Sequence, residues 1–136
     1  MSKKSQSSFE MLVTFMIAIT ILVPTVIYVM VIQSDYADSY RISVSQNVVN
    51  KLGEAADSIF LQGTPAKLTL TLQFPDGIKE ITVEDDIILI TLTTKSGQTE
   101  IFRNTKETVT GTLPTTSGIY KIVVENQGDR VSISRP

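Results

Sequence analysis

The residues best suited to specific chemistry stand near the start of the chain, where a short polar segment meets a long apolar one. Lys3 and Lys4 lead into this polar segment, and Glu10 at its end is the only charged residue between Ser5 and Ser34. A carboxylate at the edge of an apolar segment is costly unless a cation or hydrogen-bond donors compensate its charge. The pattern therefore predicts that Glu10 pairs with a positive or donor group.

One candidate partner is the backbone at the start of a helix. Ser7 to Glu10 reads Ser-x-x-Glu, which is a capping box in which Ser7 is the cap and Glu10 accepts a hydrogen bond from the Ser7 amide. This interpretation predicts a helix that begins at about Ser8. It leaves the two lysines and Gln6 that precede the box without a role.

The element that must position Glu10 is the apolar run from Met11 to Ile32, in which only three threonines and Pro24 are not plainly apolar. As a helix this run is roughly 33 Å long, about the hydrocarbon thickness of a bilayer. No small-residue cleavage site follows it, which argues against a secretory signal peptide removed downstream. Lysines before the run and acids after it predict a cytoplasmic N-terminus and an extracytoplasmic body.

The order of these features resembles the class III signal peptide of archaeal type IV pilin-like proteins. The resemblance covers about residues 3 to 32, and the residues that carry it are Lys3, Lys4, Gln6, Ser8 and Glu10. It implies that a membrane peptidase cuts between Ser5 and Gln6, which makes Glu10 the fifth residue of the mature chain. Ser5 stands where the family usually has Gly or Ala.

The resemblance also implies partners and a location. In that family the acid at the fifth mature position, here Glu10, pairs with the free N-terminal amine of a neighbouring copy in a helical homopolymer. The implied partners are a class III signal peptidase, a membrane assembly platform with its motor ATPase, and the membrane before assembly. The mature form is then an extracellular filament at the cell surface that serves adhesion or attachment.

A physical argument supports a role for Glu10 in such a polymer. Lipid tails and packed aliphatic side chains are about equally apolar, so a bundle of identical spans gains little hydrophobic energy over the membrane. Register along the bundle must then come from a directional contact, and Glu10 is predicted to provide it. Pro24, within the span, removes a backbone donor and crowds the carbonyl of Thr20, which predicts a kink. Pro24 is either a tolerated membrane proline or a hinge for helix packing.

Beyond the span the pattern changes twice. Apolar residues recur at three- and four-residue steps from Ile32 to Ile59, which predicts an amphipathic helix that ends near Gly63 and Pro65. From Lys67 onward apolar and polar residues alternate, which is typical of half-buried strands. The strands are predicted at residues 67–74, 78–83, 87–94, 99–103, 108–113, 119–124 and 131–133.

These patterns predict an α+β, pilin-like fold: a long N-terminal helix, with a membrane or filament-core half and an amphipathic half, packed on a C-terminal antiparallel β-sheet or small β-sandwich. The predicted segments are a leader at 1–5, a hydrophobic transmembrane or filament-core helix at 6–34, an amphipathic extension at 35–63 and an extracellular β-rich head at 66–136.

Composition argues against several functional classes. The chain has no Cys and no His, so disulfides, imidazole or thiolate metal sites and His-dependent nucleophile systems are unavailable. A net charge of −2 gives little support for nucleic-acid binding. The acidic run Glu84, Asp85 and Asp86 is a weak candidate for a hard cation, because it lacks the ligand spacing and glycine of a calcium loop. A solvated hairpin turn is the default, and neither a cofactor nor an enzymatic activity is predicted.

Two alternatives to the filament subunit remain open at this stage. The chain can be a membrane-anchored extracellular binding module that never polymerises, or a minor pseudopilin of a related apparatus. An N-terminus at Gln6 in a sheared surface fraction separates the first alternative from a filament subunit. The abundance of the protein separates the second.

Overall fold

The computed structural model describes residues 3–136, which form one helix and seven strands. The bounds of these elements are α1 Lys3–Gln62, β1 Lys67–Phe74, β2 Ile78–Glu84, β3 Ile87–Thr94, β4 Gly97–Asn104, β5 Val109–Gly111, β6 Gly118–Asn126 and β7 Val131–Ser134. The fold is α+β, as the sequence predicts, because the long helix is packed against β-sheets.

The chain divides into two compact units, one that ends at Ala37 and one that spans Asp38–Pro136. In the first unit the described residues are all helical, and every residue from Lys3 to Val31 is exposed. The second unit contains the rest of α1 and all seven strands, and we call it the head. Each unit has its own organisation: a bare apolar helix in the first and a packed core in the second.

The strands of the head form two sheets. The four-stranded sheet has the order β1-β6-β7-β5, and the three-stranded sheet has the order β2-β3-β4. All neighbours are antiparallel except β5 and β7, which are parallel. The sheets approach one another where β5 lies beside the turn after β2, since the amide of Val109 donates to the carbonyl of Asp85 at 2.5 Å. The edge strands are β1 and β5 in the first sheet and β2 and β4 in the second.

One hydrophobic core joins both sheets to the head part of α1. The inner faces of the sheets contribute side chains such as Phe74, Ile90 and Ile122, all almost fully buried. The helix contributes the apolar stripe Val48, Val49, Leu52, Ala55, Ala56 and Ile59. Removing this much aliphatic surface from water is the dominant stabilising term for a head that has no disulfides.

Charged residues fix the first helical turns of the head to two strand connections. The Arg41 guanidinium donates to both carboxylate oxygens of Asp76 at 2.9 and 2.6 Å, and to Asp38 at 3.1 Å. Asp38 in turn accepts from the backbone amide of Lys95 at 2.9 Å. The hydrogen bonds from Arg41 lower the pKa of Asp76, and the same bonds raise the pKa of Arg41. This cluster ties α1 to the β1–β2 and β3–β4 turns.

The other end of the helix is capped from the sheet. Asn126 at the end of β6 is buried, and its side-chain amide donates to the carbonyls of Ile59 and Phe60 at 3.3 and 3.4 Å. Helix C-termini leave such carbonyls without intrahelical partners. Gly63 follows with a φ of 78° and donates to Phe60 at 3.1 Å, as left-handed residues after a helix commonly do. The predicted stop near Gly63 is therefore confirmed.

Candidate functional site

The residues of the predicted processing junction lie on consecutive turns of α1, and all of them are exposed. Because α1 begins at Lys3, Ser7 and Glu10 are inside the helix, and the prediction of a capping box with a helix start at about Ser8 is wrong. The physical reason is the segment before Ser7, which contains no Gly or Pro and whose Lys and Gln residues are good helix formers. Ser7 is therefore not the helix cap.

Gln6 and Glu10 project from the same side of the helix. They are four residues apart, the spacing at which side chains on a helix are neighbours, and Lys3 precedes Gln6 by three. Within residues 3–136 no cation or hydrogen-bond donor contacts the Glu10 carboxylate; its backbone carbonyl accepts from the Thr14 hydroxyl at 2.9 Å. The acid is thus placed one turn from the residue that the predicted cut would make N-terminal.

The threonine hydroxyls inside the apolar run are all hydrogen-bonded to backbone carbonyls of α1 itself. The hydroxyls of Thr14, Thr20 and Thr25 donate to carbonyls one turn earlier, at 2.9, 2.8 and 2.7 Å. A hydroxyl without a partner would cost free energy in an apolar environment, so these bonds remove a penalty for burying the segment. The threonines therefore add little free-energy cost if the segment is buried in lipid or among other helices.

Pro24 lies in the interior of α1, which continues on both sides of it. Proline has no amide hydrogen, so the Thr20 carbonyl loses its usual intrahelical donor. The kink predicted at Pro24 stays a prediction.

Apolar side chains surround the first helical unit on all sides. Large exposed residues follow one another there without a polar face, among them Phe15, Ile21, Leu22, Ile27 and Met30. A helix that is hydrophobic all round is typical of a buried or membrane-spanning segment. In the part of the chain from Lys3 onward, α1 is the one helix long and apolar enough to cross a membrane. The helix is therefore compatible with a single-pass anchor.

The acidic run of the head lies in a tight turn. Glu84 ends β2, while Asp85 and Asp86 connect it to β3, and Asp85 adopts a φ of 53°. All three side chains are exposed, and the backbone carbonyls of Asp85 and Asp86 accept bonds from Val109 and Thr105. Among residues 3–136 there is no group of three or more side chains arranged to hold a metal ion. The three acids thus lie in an exposed hairpin turn between β2 and β3.

The head surface has exposed apolar side chains on its strands that the sequence pattern did not predict, and two of them are more than half exposed. Phe102 of β4 is 63% exposed and Ile119 of β6 is 70% exposed. A signal for the first was present in β3, whose residues Ile87 to Leu92 are apolar on both faces with the exception of Thr91. Such a strand cannot bury both faces in one core.

The chain matches no protein-family model, no curated protein and no solved structure.

Proposed function

We propose that the chain is a structural subunit of a type IV pilus-like surface filament of the archaeal kind, made as a membrane precursor and trimmed by a class III signal peptidase. The observation that carries the proposal is the first helical unit, whose span from Met11 to Ile32 is apolar on every side and has its threonine hydroxyls satisfied internally. At the entrance of that span stands Glu10, whose carboxylate has no partner within residues 3–136. The residues Lys3, Lys4, Gln6, Ser8 and Glu10 supply the processing signal.

Trimming and assembly are linked in this proposal through charge. Cutting between Ser5 and Gln6 creates an amine on Gln6, and the side chain of Glu10 lies one helical turn away. In a bundle of staggered copies, the amine of one copy pairs with the Glu10 of the next. An uncut chain offers no such amine, so its acid enters the bundle uncompensated and the precursor stays in the membrane.

The apolar helix has nearly the same hydrophobic free energy in the membrane and in the polymer. Transfer between them changes its hydrophobic environment little, whereas exposure to water costs ~0.8 kcal/mol for each CH₂ group. Subunits therefore pass directly from lipid to polymer, and a membrane platform with a motor ATPase drives that passage. The head remains outside, where it serves adhesion or lateral contacts.

The proposal is tested by the mature N-terminus and by one isosteric substitution. Mass spectrometry of a sheared surface fraction should find a peptide that begins at Gln6, and Glu10→Gln should reduce the amount of sheared polymer at least tenfold, as about 1.4 kcal/mol of lost pairing would. Glu125→Gln, an exposed acid on β6, is the matched control and should leave the yield unchanged. A chain that keeps Lys3 and Lys4 and remains in membranes as single copies would instead be an anchored binding module.

A further inference from the structure

The outer face of the three-stranded sheet carries an apolar patch. Phe102 of β4 lies directly opposite Leu89 of β3 in the strand register, and Ile87 lies two residues along on the same face. We call these three residues the β3–β4 patch. The solvent face of an antiparallel sheet is ordinarily polar, and exposed apolar patches mark interaction sites. Phe102 is the most exposed of the three side chains.

A groove of complementary character runs between α1 and the edge strand β1. Its apolar lining includes Leu68, Leu70 and Ala55, and its volume is about 370 Å³. β1 is an edge strand of its sheet, and along it burial falls from Leu72, which is almost fully buried, to Leu68, which remains 39% exposed. We call this the α1–β1 groove. Its size and lining suit a single large apolar side chain presented from another surface.

The charges beside the two surfaces are opposite. Glu100 is exposed two residues before Phe102, and Glu80 lies on the same sheet face, since both are paired with Thr91. Lys51 lines the groove and Lys67 precedes Leu68, so the groove side is basic.

The groove also contains one acid, Glu54. Arg103 of the same chain lies 3.7 Å from the carboxylate of Glu54 and offsets its charge. Glu125 lies opposite Lys67 in the strand register. Lys51 is therefore the basic residue of the groove that is left to pair with the acidic flank of the β3–β4 patch.

The geometry points to a contact between copies in which the β3–β4 patch of one head occupies the α1–β1 groove of the next, with Phe102 inserted beside Leu68 and Leu70. The two surfaces are different parts of one head, so the contact is head-to-tail and leaves a free patch and a free groove at its ends. Such contacts either close into rings or propagate into open helical arrays, and a filament requires the second. The inference rests on the proposed filament function and adds to it a second layer of contacts outside the helical bundle.

Cysteine pairing tests the contact directly, because the chain contains no Cys. Full-length Leu68→Cys and Phe102→Cys copies are expressed together, and the sheared polymer is oxidised. A disulfide requires Cα atoms within about 7 Å, so the mixed dimer should form in preference to either homodimer. Leu68→Cys paired with Ile119→Cys is the matched control, because Ile119 is equally exposed but lies outside the patch. Ser58→Cys, on an exposed α1 residue that lines the same groove, replaces Leu68→Cys if that variant fails to fold.

Charge reversal provides an independent measurement on the same polymer. Lys51→Glu should lower the yield of the mixed disulfide by about two- to fivefold, as expected for one surface ion pair. Combining it with Glu100→Lys in the same chain should restore the yield. Equal yields in the single and double variants would contradict the inference.

Sedimentation distinguishes a failure of the contact between heads from a failure of the proposed filament function. Polymer that sediments but gives no mixed disulfide overturns the contact between heads and leaves the proposed filament intact. A chain that never sediments as polymer overturns the proposed function and, with it, this contact. A mixed disulfide in sedimenting polymer supports both.

Discussion

Arg103 of β4 lies across the backbone of α1 at Gly53. A Cβ atom at Gly53 would come within 2.5 Å of both Cδ and Nε of Arg103. From this position the guanidinium donates to the carbonyl of Asn50 at 3.3 Å and lies 3.7 and 3.9 Å from the carboxylates of Glu54 and Asp57. The glycine lets a charged strand residue pack flat against the helix.

This relationship predicts that a normally favourable substitution loses its benefit. Gly→Ala inside a helix ordinarily stabilises by about 1 kcal/mol. Gly53→Ala should instead destabilise the head by about 1 kcal/mol, because Arg103 must leave the Asn50 carbonyl. In an Arg103→Ala background the same substitution should stabilise by about 1 kcal/mol. Urea unfolding of the full chain in detergent, followed by circular dichroism, measures both, and equal effects in the two backgrounds would contradict the clamp.

Removing each of two buried hydroxyls should change the free energy of unfolding in opposite directions. Ser45 is fully buried in α1, and within residues 3–136 its hydroxyl has no hydrogen-bond partner. Thr105 is also buried, but its hydroxyl donates to the Glu107 carbonyl at 2.7 Å. Ser45→Ala should raise the free energy of unfolding by about 1 kcal/mol, whereas Thr105→Val should lower it by about 1 kcal/mol. Loss of stability in Ser45→Ala would show that its hydroxyl is satisfied in solution.

The cap supplied by Asn126 predicts a charge-dependent loss. Asn126→Asp keeps the oxygen that accepts from the Gly128 amide at 2.8 Å but replaces the donor to Ile59 and Phe60 with an acceptor. A negative charge is also unfavourable at a helix C-terminus. The variant should lose about 2 to 4 kcal/mol at neutral pH, and less at pH 4 where the new carboxyl is largely protonated. Asn126→Ala is the uncharged control and should show no such pH dependence relative to wild type.

The pair formed by Arg41 and Asp76 predicts acid sensitivity with a defined sign. The folded-state pKa of Asp76 lies below its ordinary value of 3.8. The pairing therefore stabilises the head above pH 3.8 and is lost as the pH falls through the folded-state pKa. The raised pKa of Arg41 adds no dependence at acidic or neutral pH, because the residue is charged throughout.

Asp76→Asn measures that contribution. Because Asp76 is largely exposed, the variant should lose only about 0.5 to 1 kcal/mol at pH 7. Stability curves of wild type and variant should converge as the pH falls from 3.8 through the folded-state pKa of Asp76, because the carboxyl becomes neutral there. A constant difference between pH 7 and pH 3 would mean that the charge of Asp76 does not stabilise the head.

Local pattern was a good guide to the elements of the fold. The predicted strands at 67–74 and 87–94 coincide with β1 and β3, since alternation in the first, a continuous apolar run in the second and short turn signals beside both set their limits. The helix start was wrong because a polar segment without breakers simply extends α1 to Lys3. The predicted processing site depends on residue order and spacing alone, so its prediction needs no knowledge of the fold.

Long-range arrangement could not be predicted in the same way. Nothing in the local pattern of β1 shows that its partner is β6, or that β5 pairs in parallel with β7. The clamp at Gly53 and the cap at Asn126 also join residues about fifty to seventy positions apart. Their partners are chosen by how the sheets stack, a property of the whole head and not of any one segment.

The position of β7 determines when the four-stranded sheet can form during synthesis. This last strand, Val131–Ser134, lies between β5 and β6 and is the hydrogen-bonded neighbour of β5 within its sheet. While the ribosome still holds these residues, the four-stranded sheet cannot close, even though the N-terminal helix has long since been synthesised. A polypeptide that stops before Val131 therefore carries the whole of α1, while β5 has lost its neighbour in the sheet.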